Sequence, residues 1–313
     1  SARGYSAIAS NNSWGQCDSY QNIGGVNYCV SAADATEFQT LYDNNKDSFT
    51  MDQIAGYEFS GNASVPSAQT SDWQTYVTAL DNFQSTGVIV FANSNYVNDS
   101  DASWLAALPY WYNGGTDNLG NSLEDLSDAW LSVLYADFTG ADMSGITESE
   151  FTRKGNPCGK AREFCLTVDD TDVNSATWYN ESTGANNYQT GGDGSSYGAP
   201  MVSGGVALVK QAFPNHTPEQ IVDRILASAN NDWFTPVGNT TFTTHGASIT
   251  HGYHNTWGHG LPDFLAAMSP ITSNRNPASI ITDNNLNDGG GLQNNNGNNN
   301  PYSSKGRHDI AAT

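Results

Sequence analysis

The chain is short of basic residues. Lysine and arginine number 11 against 32 aspartates and glutamates, a formal net charge of −21. Nucleic acid and anionic membrane surfaces would repel such a surface and are excluded as partners. Long apolar runs are missing too, and no stretch approaches the roughly 18 residues of a membrane span. Only four cysteines occur. They form two close pairs, Cys17/Cys29 and Cys158/Cys165, neither of them C-x-x-C nor close to a histidine, which argues against zinc. Two local loops are the simplest pairing, and they imply an oxidising compartment. No secretory leader and no initiator Met are present, so Ser1 reads as a processed end. The protein is expected to be secreted or held at a cell surface. Histidine is absent from the whole stretch before His216.

What is present centres on Gly194-Ser195-Ser196-Tyr197-Gly198-Ala199-Pro200-Met201-Val202-Ser203-Gly204. Small residues there precede an apolar run, Val206 to Phe213, that predicts a buried helix of about four turns. A serine in the first turn of such a helix is exposed at its mouth. The free N–H groups and the helix dipole favour negative charge beside it. Both features suit a nucleophile whose attack creates an oxyanion. Pro200 is expected in a first turn, where proline is tolerated. Taken alone, the stretch also reads as a Ser/Gly-rich turn that starts a core helix.

A second stretch has the same character. Gly87 to Ala92 is a continuous β-branched run, typical of a parallel strand buried on both faces. It ends in Asn93-Ser94-Asn95, at the carboxyl end of the strand, where ligands bind in open α/β sheets. Trp130 to Ala136 predicts another buried strand. Helices are expected from about Ala32 to Asp43 and from Thr70 to Phe83, the latter with Trp73, Val77, Leu80 and Phe83 on its core face. Thr217-Pro218-Glu219-Gln220 is a capping box with proline at the first helical position.

Together these blocks resemble the subtilisin-like serine proteases. Gly194-Ser195-Ser196 through Gly204 is similar to the family's G-T-S-x-A-x-P-x-V-x-G block, with Ser195 for the usual Thr. The match implies that Ser196 is the nucleophile. The strand at 87–95 resembles the V-x-x-A-A-G-N block, with Ser94 for Gly, and implies that Asn95 donates its amide to the oxyanion. Asn12-Ser13-Trp14-Gly15 resembles the N-N-S-W-G segment found in subtilases of bacterial autotransporter passengers. There Ser13, Trp14 and Gly15 would pair with an extended polypeptide substrate. Leu105-Ala106-Ala107-Leu108-Pro109-Tyr110 and the Trp130 strand are similar to stretches of the same group. Asp128 and Asp137 are read as solvated or structural. Cys158 to Leu166 resembles C-G-x-A-x-x-x-C-L, but Asp169-Asp170 replace the usual Pro-Gly. Two adjacent acids could hold a structural calcium, although a solvated turn is the expectation. No other cofactor or metal is called for. Gly258 to Ala267 is similar to the G-x-G-L-x-D-x-x-A-A block that closes such domains.

The resemblance implies an α/β fold, a mostly parallel sheet with helices on both faces. Residues 1–272 would form the later two-thirds of a catalytic domain. Residues 273–313, rich in Asn and Gly, read as a linker or attachment tail. The family's Asp and His blocks have no counterpart here. His245, His251, His254 and His259 read as exposed loop histidines rather than a metal cluster, and none matches a catalytic base. One reading is a protease in two chains, with a companion N-terminal chain supplying Asp and His. The other is a degenerate protease fold serving as a scaffold, adhesion or filament subunit. The survival of Ser196 together with Asn95 favours the first. A Glu-Asp-Ser relative is opposed by Asn95, since that group uses an Asp there.

Overall fold

The computed structural model describes residues 7–23, 25–60, 70–140, 145–180, 185–246 and 248–269. The expected tail at 273–313 lies outside the described residues. In chain order the elements are β1 (Ala9–Asn12), β2 (Cys17–Ile23), β3 (Val26–Ala32), α1 (Ala35–Asn45), α2 (Met51–Ser60) and α3 (Thr70–Gln84). Then come β4 (Val88–Ala92), β5 (Trp130–Phe138), β6 (Phe151–Arg153), β7 (Cys165–Asp169), β8 (Val173–Asn180) and β9 (Ala185–Gly192). The order closes with α4 (Ser195–Ala212), α5 (Pro218–Ala227), β10 (Gly238–Phe242), β11 (Ile249–Tyr253) and α6 (Phe264–Ala267).

The central sheet runs β1-β4-β5, with β7 also paired to β5. These pairings are parallel, and only the short β6 is antiparallel. The fold is thus α/β with a mostly parallel sheet. Alternation along the strands sends successive side chains to opposite faces. Ile89, Phe91, Trp130 and Leu134 join one core with Phe38, Ile54, Trp73 and Val77 of α1, α2 and α3. Val88, Val90, Leu131, Val133, Leu166 and Val168 join the other with Val202, Val206 and Val209 of α4 and Ile221 and Ile225 of α5. Because both faces are covered, β4 is buried at every position, as its continuous apolar run requires.

Local signals act where they stand. Asp34 caps α1 in a capping box with Glu37, and Thr217 caps α5 in one with Gln220. Both local disulfides form, Cys17 to Cys29 and Cys158 to Cys165. Three antiparallel hairpins, β2-β3, β8-β9 and β10-β11, decorate the sheet, and helix α2 adds to the aromatic side. Nothing in the periodicity singled these out, because short strands and a ten-residue helix carry little apolar pattern.

Two expectations change. Pro200 lies at the sixth residue of α4, inside the helix rather than in its first turn. Strand β1 ends at Asn12, so Ser13, Trp14 and Gly15 are irregular.

Candidate active site

The site forms where the carboxyl ends of β1, β4 and β7 meet the N-terminus of α4. Gly194 is the N-cap of α4, with φ 127° and ψ 158°. A side chain there would be strained, and its Cβ would come within 2.9 Å of Asn95 Nδ2, so glycine is required twice over. Ser195 is buried, whereas Ser196 is exposed. The helix therefore delivers one hydroxyl to the interior and the next to solvent.

Ser195 has a role that reading it as a substitute for Thr did not reveal. Its N–H donates to Asn95 Oδ1 at 2.8 Å, and its Oγ donates to the same oxygen at 2.7 Å. An amide N–H can only donate, so the Asn95 side chain must present its oxygen to Ser195. The Asn95 Nδ2 is thereby turned away, with no acceptor among the described residues. Ser94 sets this orientation from the backbone: its φ is 76°, in the left-handed region. That explains why the resembling block carries glycine there. Asn93 anchors the strand end behind it. It is fully buried, donates to the carbonyls of Asn156 and Pro157, and accepts from the Ser103 amide.

The segment after β1 reaches the same turn. Pro200 has no N–H, so the carbonyl of Ser196, four residues earlier, lacks its helical donor. Ser13 Oγ supplies one, at 3.1 Å. Ser13 is itself held by Asn11 Nδ2 at 2.9 Å. Trp14 turns the other way, with its ring 5.3 Å from Phe91 and 6.3 Å from Tyr76. Ser13 and Trp14 thus tie the end of β1 to opposite sides of the sheet.

The sequence profile of the subtilase family matches residues 6–260. The chain belongs to the subtilase family. No curated protein matches it. Among solved structures it is similar to fervidolysin from Fervidobacterium pennivorans, a keratinolytic enzyme related to subtilisin. That likeness has 19% identity and a TM-score of 0.39 over 66% of this chain and 25% of that one. It is also similar to the prenylagaramide maturation protease PagA, at 15% identity and TM-score 0.42, over 85% of this chain and 62% of the other. MycP1 from Mycobacterium smegmatis gives 21% identity and TM-score 0.36, over 66% and 48%. The chain thus spans less than two thirds of the length of each of these relatives, from 25% of fervidolysin to 62% of PagA.

In this subtilase chain no hydrogen bond joins Ser196 to a histidine among the described residues. The histidines are engaged elsewhere, and two depart from the expectation of exposed loops. His251 and His259 are buried, at 4% and 0% exposure. Their Nδ1 atoms face each other at 2.9 Å, and their Nε2 atoms face the carbonyls of Ala229 and Glu163. Burial pushes His259 down to about 3 and lowers His251 as well. Neither is a base for Ser196. His245 and His216 pack beside each other near the far end of α4, and His254 accepts from the Thr256 amide.

The Asp169-Asp170 pair also departs from the solvated turn. Asp169 is exposed, but Asp170 is fully buried. Asp169 faces solvent at the end of β7 while Asp170 is sealed in the interior, so the two carboxylates do not share one site. Among the described residues no group of three or more His, Cys, Asp or Glu could hold a metal. Asp137 is structural, bridged to Lys154 at 3.1 Å.

Proposed function

We propose that this chain is the nucleophile-bearing part of a subtilisin-like serine endopeptidase that hydrolyses peptide bonds through an acyl-enzyme. Ser196 attacks the scissile carbonyl carbon. A histidine on a companion N-terminal chain takes its proton, and an aspartate on that chain orients the histidine. The Ser196 N–H and Asn95 Nδ2 stabilise the oxyanion. The amine product leaves with the proton from the histidine, and water then releases the acyl group from Ser196. The polypeptide substrate lies along Ser13, Trp14 and Gly15. The observation that carries this reading is the pairing of an exposed Ser196 with an Asn95 whose nitrogen is left free by Ser195.

A companion is supported by two facts. No described histidine reaches Ser196, and the edge of β1 away from β4 has no partner strand among the described residues. An unpaired strand edge presents free N–H and C=O groups to which another chain can add a strand. The two disulfides fit an oxidising compartment. Among the described residues no helix is long and apolar enough to cross a membrane. The same reading places the protein outside the cell, secreted or surface-held, in the manner of the autotransporter subtilases its motifs resemble.

The test is labelling of native protein with a fluorophosphonate, followed by mass mapping. Such reagents need a serine already activated by a base. A stoichiometric adduct on Ser196, with a second chain carrying Asp and His blocks in the same preparation, is expected. Folded protein that takes no label would instead point to a scaffold, adhesion or filament subunit.

A further inference from the structure

Among the described residues, Asp170 is the one buried acid whose carboxyl oxygens find no hydrogen-bond partner. It follows β7 on the same face as Leu166 and Val168, which pack against α4. Its exposure is 0%, and neither carboxyl oxygen has a hydrogen-bond partner. Its main chain is engaged on both sides. The Asp170 amide donates to the Ala136 carbonyl at 3.3 Å, and its carbonyl accepts from the Gly194 amide at 3.3 Å. Gly194 is the N-cap of α4. The carboxyl meets the next part of the same turn. A Cβ on Gly198 would stand 2.6 Å from Asp170 Oδ2. Asp170 therefore spans the helix start from Gly194 to Gly198, with Ser196 midway between.

Two departures from the motifs quoted above meet here. Asp170 stands where the family block has glycine, and Gly198 stands where the nucleophile block has alanine. The side chain gained at one position fills the space lost at the other. We propose that Asp170 is a positioning residue for Ser196, its carboxyl filling the space left by Gly198 and bracing the first turn of α4. This rests on the protease reading of Ser196.

The bracing group is the neutral acid. Burial pushes its ionisation up to about 8, and nearby backbone amides offset this only in part. The charged groups around it do not favour ionisation. Asp169 is adjacent, Asp137 lies on β5 with Lys154 paired to it, and Asp172 and Asp193 flank the β8-β9 hairpin. Tyr135 on β5 is itself pushed up to about 12 by burial and these acids. Ionising Asp170 would place an unpaired charge beneath the nucleophile turn. The sign for stability follows from linkage. Between about 4 and about 8 the unfolded chain has released this proton and the folded one has not. The contribution of Asp170 to stability is therefore greatest below about 4, falls as pH rises to about 8, and is constant above.

The experiment uses the native assembled protein and four variants: Asp170→Asn, Asp170→Gly, Gly198→Ala and the double variant D170G/G198A. Fluorophosphonate labelling of Ser196 and melting temperature are followed from pH 5 to about 10. Wild-type labelling should fall as pH rises through about 8, and D170N should abolish that fall. G198A should slow labelling by up to about a hundredfold, the scale of a ~1 Å misplacement of a reacting group. D170G/G198A should recover most of that loss. The same alkaline fall in D170N, or additive effects of D170G and G198A, would overturn the role assigned to Asp170. If wild type takes no label at any pH, the protease reading fails, and the positioning role of Asp170 toward Ser196 with it. That outcome is distinct, because the melting cycle would still report the contact between residues 170 and 198.

Discussion

The two faces of the central sheet are built from different residues. The side covered by α1, α2 and α3 is aromatic: Phe38 stacks on Trp104 at 4.6 Å, Trp73 on Trp104 at 5.3 Å, and Phe91 on Trp130 at 5.5 Å. The side covered by α4 and α5 is largely valine, alanine, leucine and isoleucine. Large rings bury much apolar area apiece and favour stability. Small residues let a helix approach the sheet closely, and the first turn of α4 must do so to meet Asn95. The difference teaches that stability and site geometry are lodged on opposite faces, joined at the exit of β1, where Ser13 serves one side and Trp14 the other.

Substitutions can break that division. Trp104→Ala, on the aromatic side, should cost about 3–5 kcal/mol of unfolding free energy, measured by denaturant titration. The labelling rate of the folded fraction should stay within twofold of wild type on the order-of-magnitude scale of remote sites. A large drop in that rate would dissolve the separation. On the other side, Asn95→Asp keeps the acceptor for Ser195 and removes the Nδ2 donor proposed for the oxyanion. Peptide hydrolysis should fall by about 10²–10³, or ~3–4 kcal/mol in barrier, with little change in melting temperature. Loss of folding instead would make Asn95 a structural residue.

Smaller effects sharpen the same contrast. Gly205→Ala should destabilise by about 1–3 kcal/mol, because the Phe264 ring occupies the place of its Cβ. Calorimetry showing no change would mean that the α4 side is looser than its packing indicates. Ser13→Ala removes the hydroxyl donor to the Ser196 carbonyl that Pro200 leaves open. It should cost about 1 kcal/mol and slow labelling several-fold, read by comparing melting and labelling in one preparation.

Much of this layout was legible before the fold. The β-branched run at 88–92, the amphipathic spacing of Trp73, Val77, Leu80 and Phe83, and the capping box at Thr217 all describe elements that form. Asp170 was misread, although a signal existed: counting by twos from Leu166 and Val168 puts it under α4. The polar character of a two-acid turn outweighed that count. His251 and His259 gave no such warning, since their burial depends on the β10-β11 hairpin lying against Cys165 and Ala229. Pro200 was placed one turn too early because the start of α4 depends on Gly194, not on the proline.

The sequence by itself determined the class of β4, β5, α1, α3, α4 and α5, the pairing of the disulfides and the family, because these depend on periodicity and on residues close along the chain. Tertiary structure alone decided which end of the Asn95 amide is free, why Ser13 is needed beside Pro200, and that Asp170 is sealed beneath the first turn of α4. Asn95 and Ser195 are 100 residues apart, and Ser13 and Ser196 are 183 apart. A side chain's partners at such separations are set by how the strands and α4 pack, and so are its burial and its charge state.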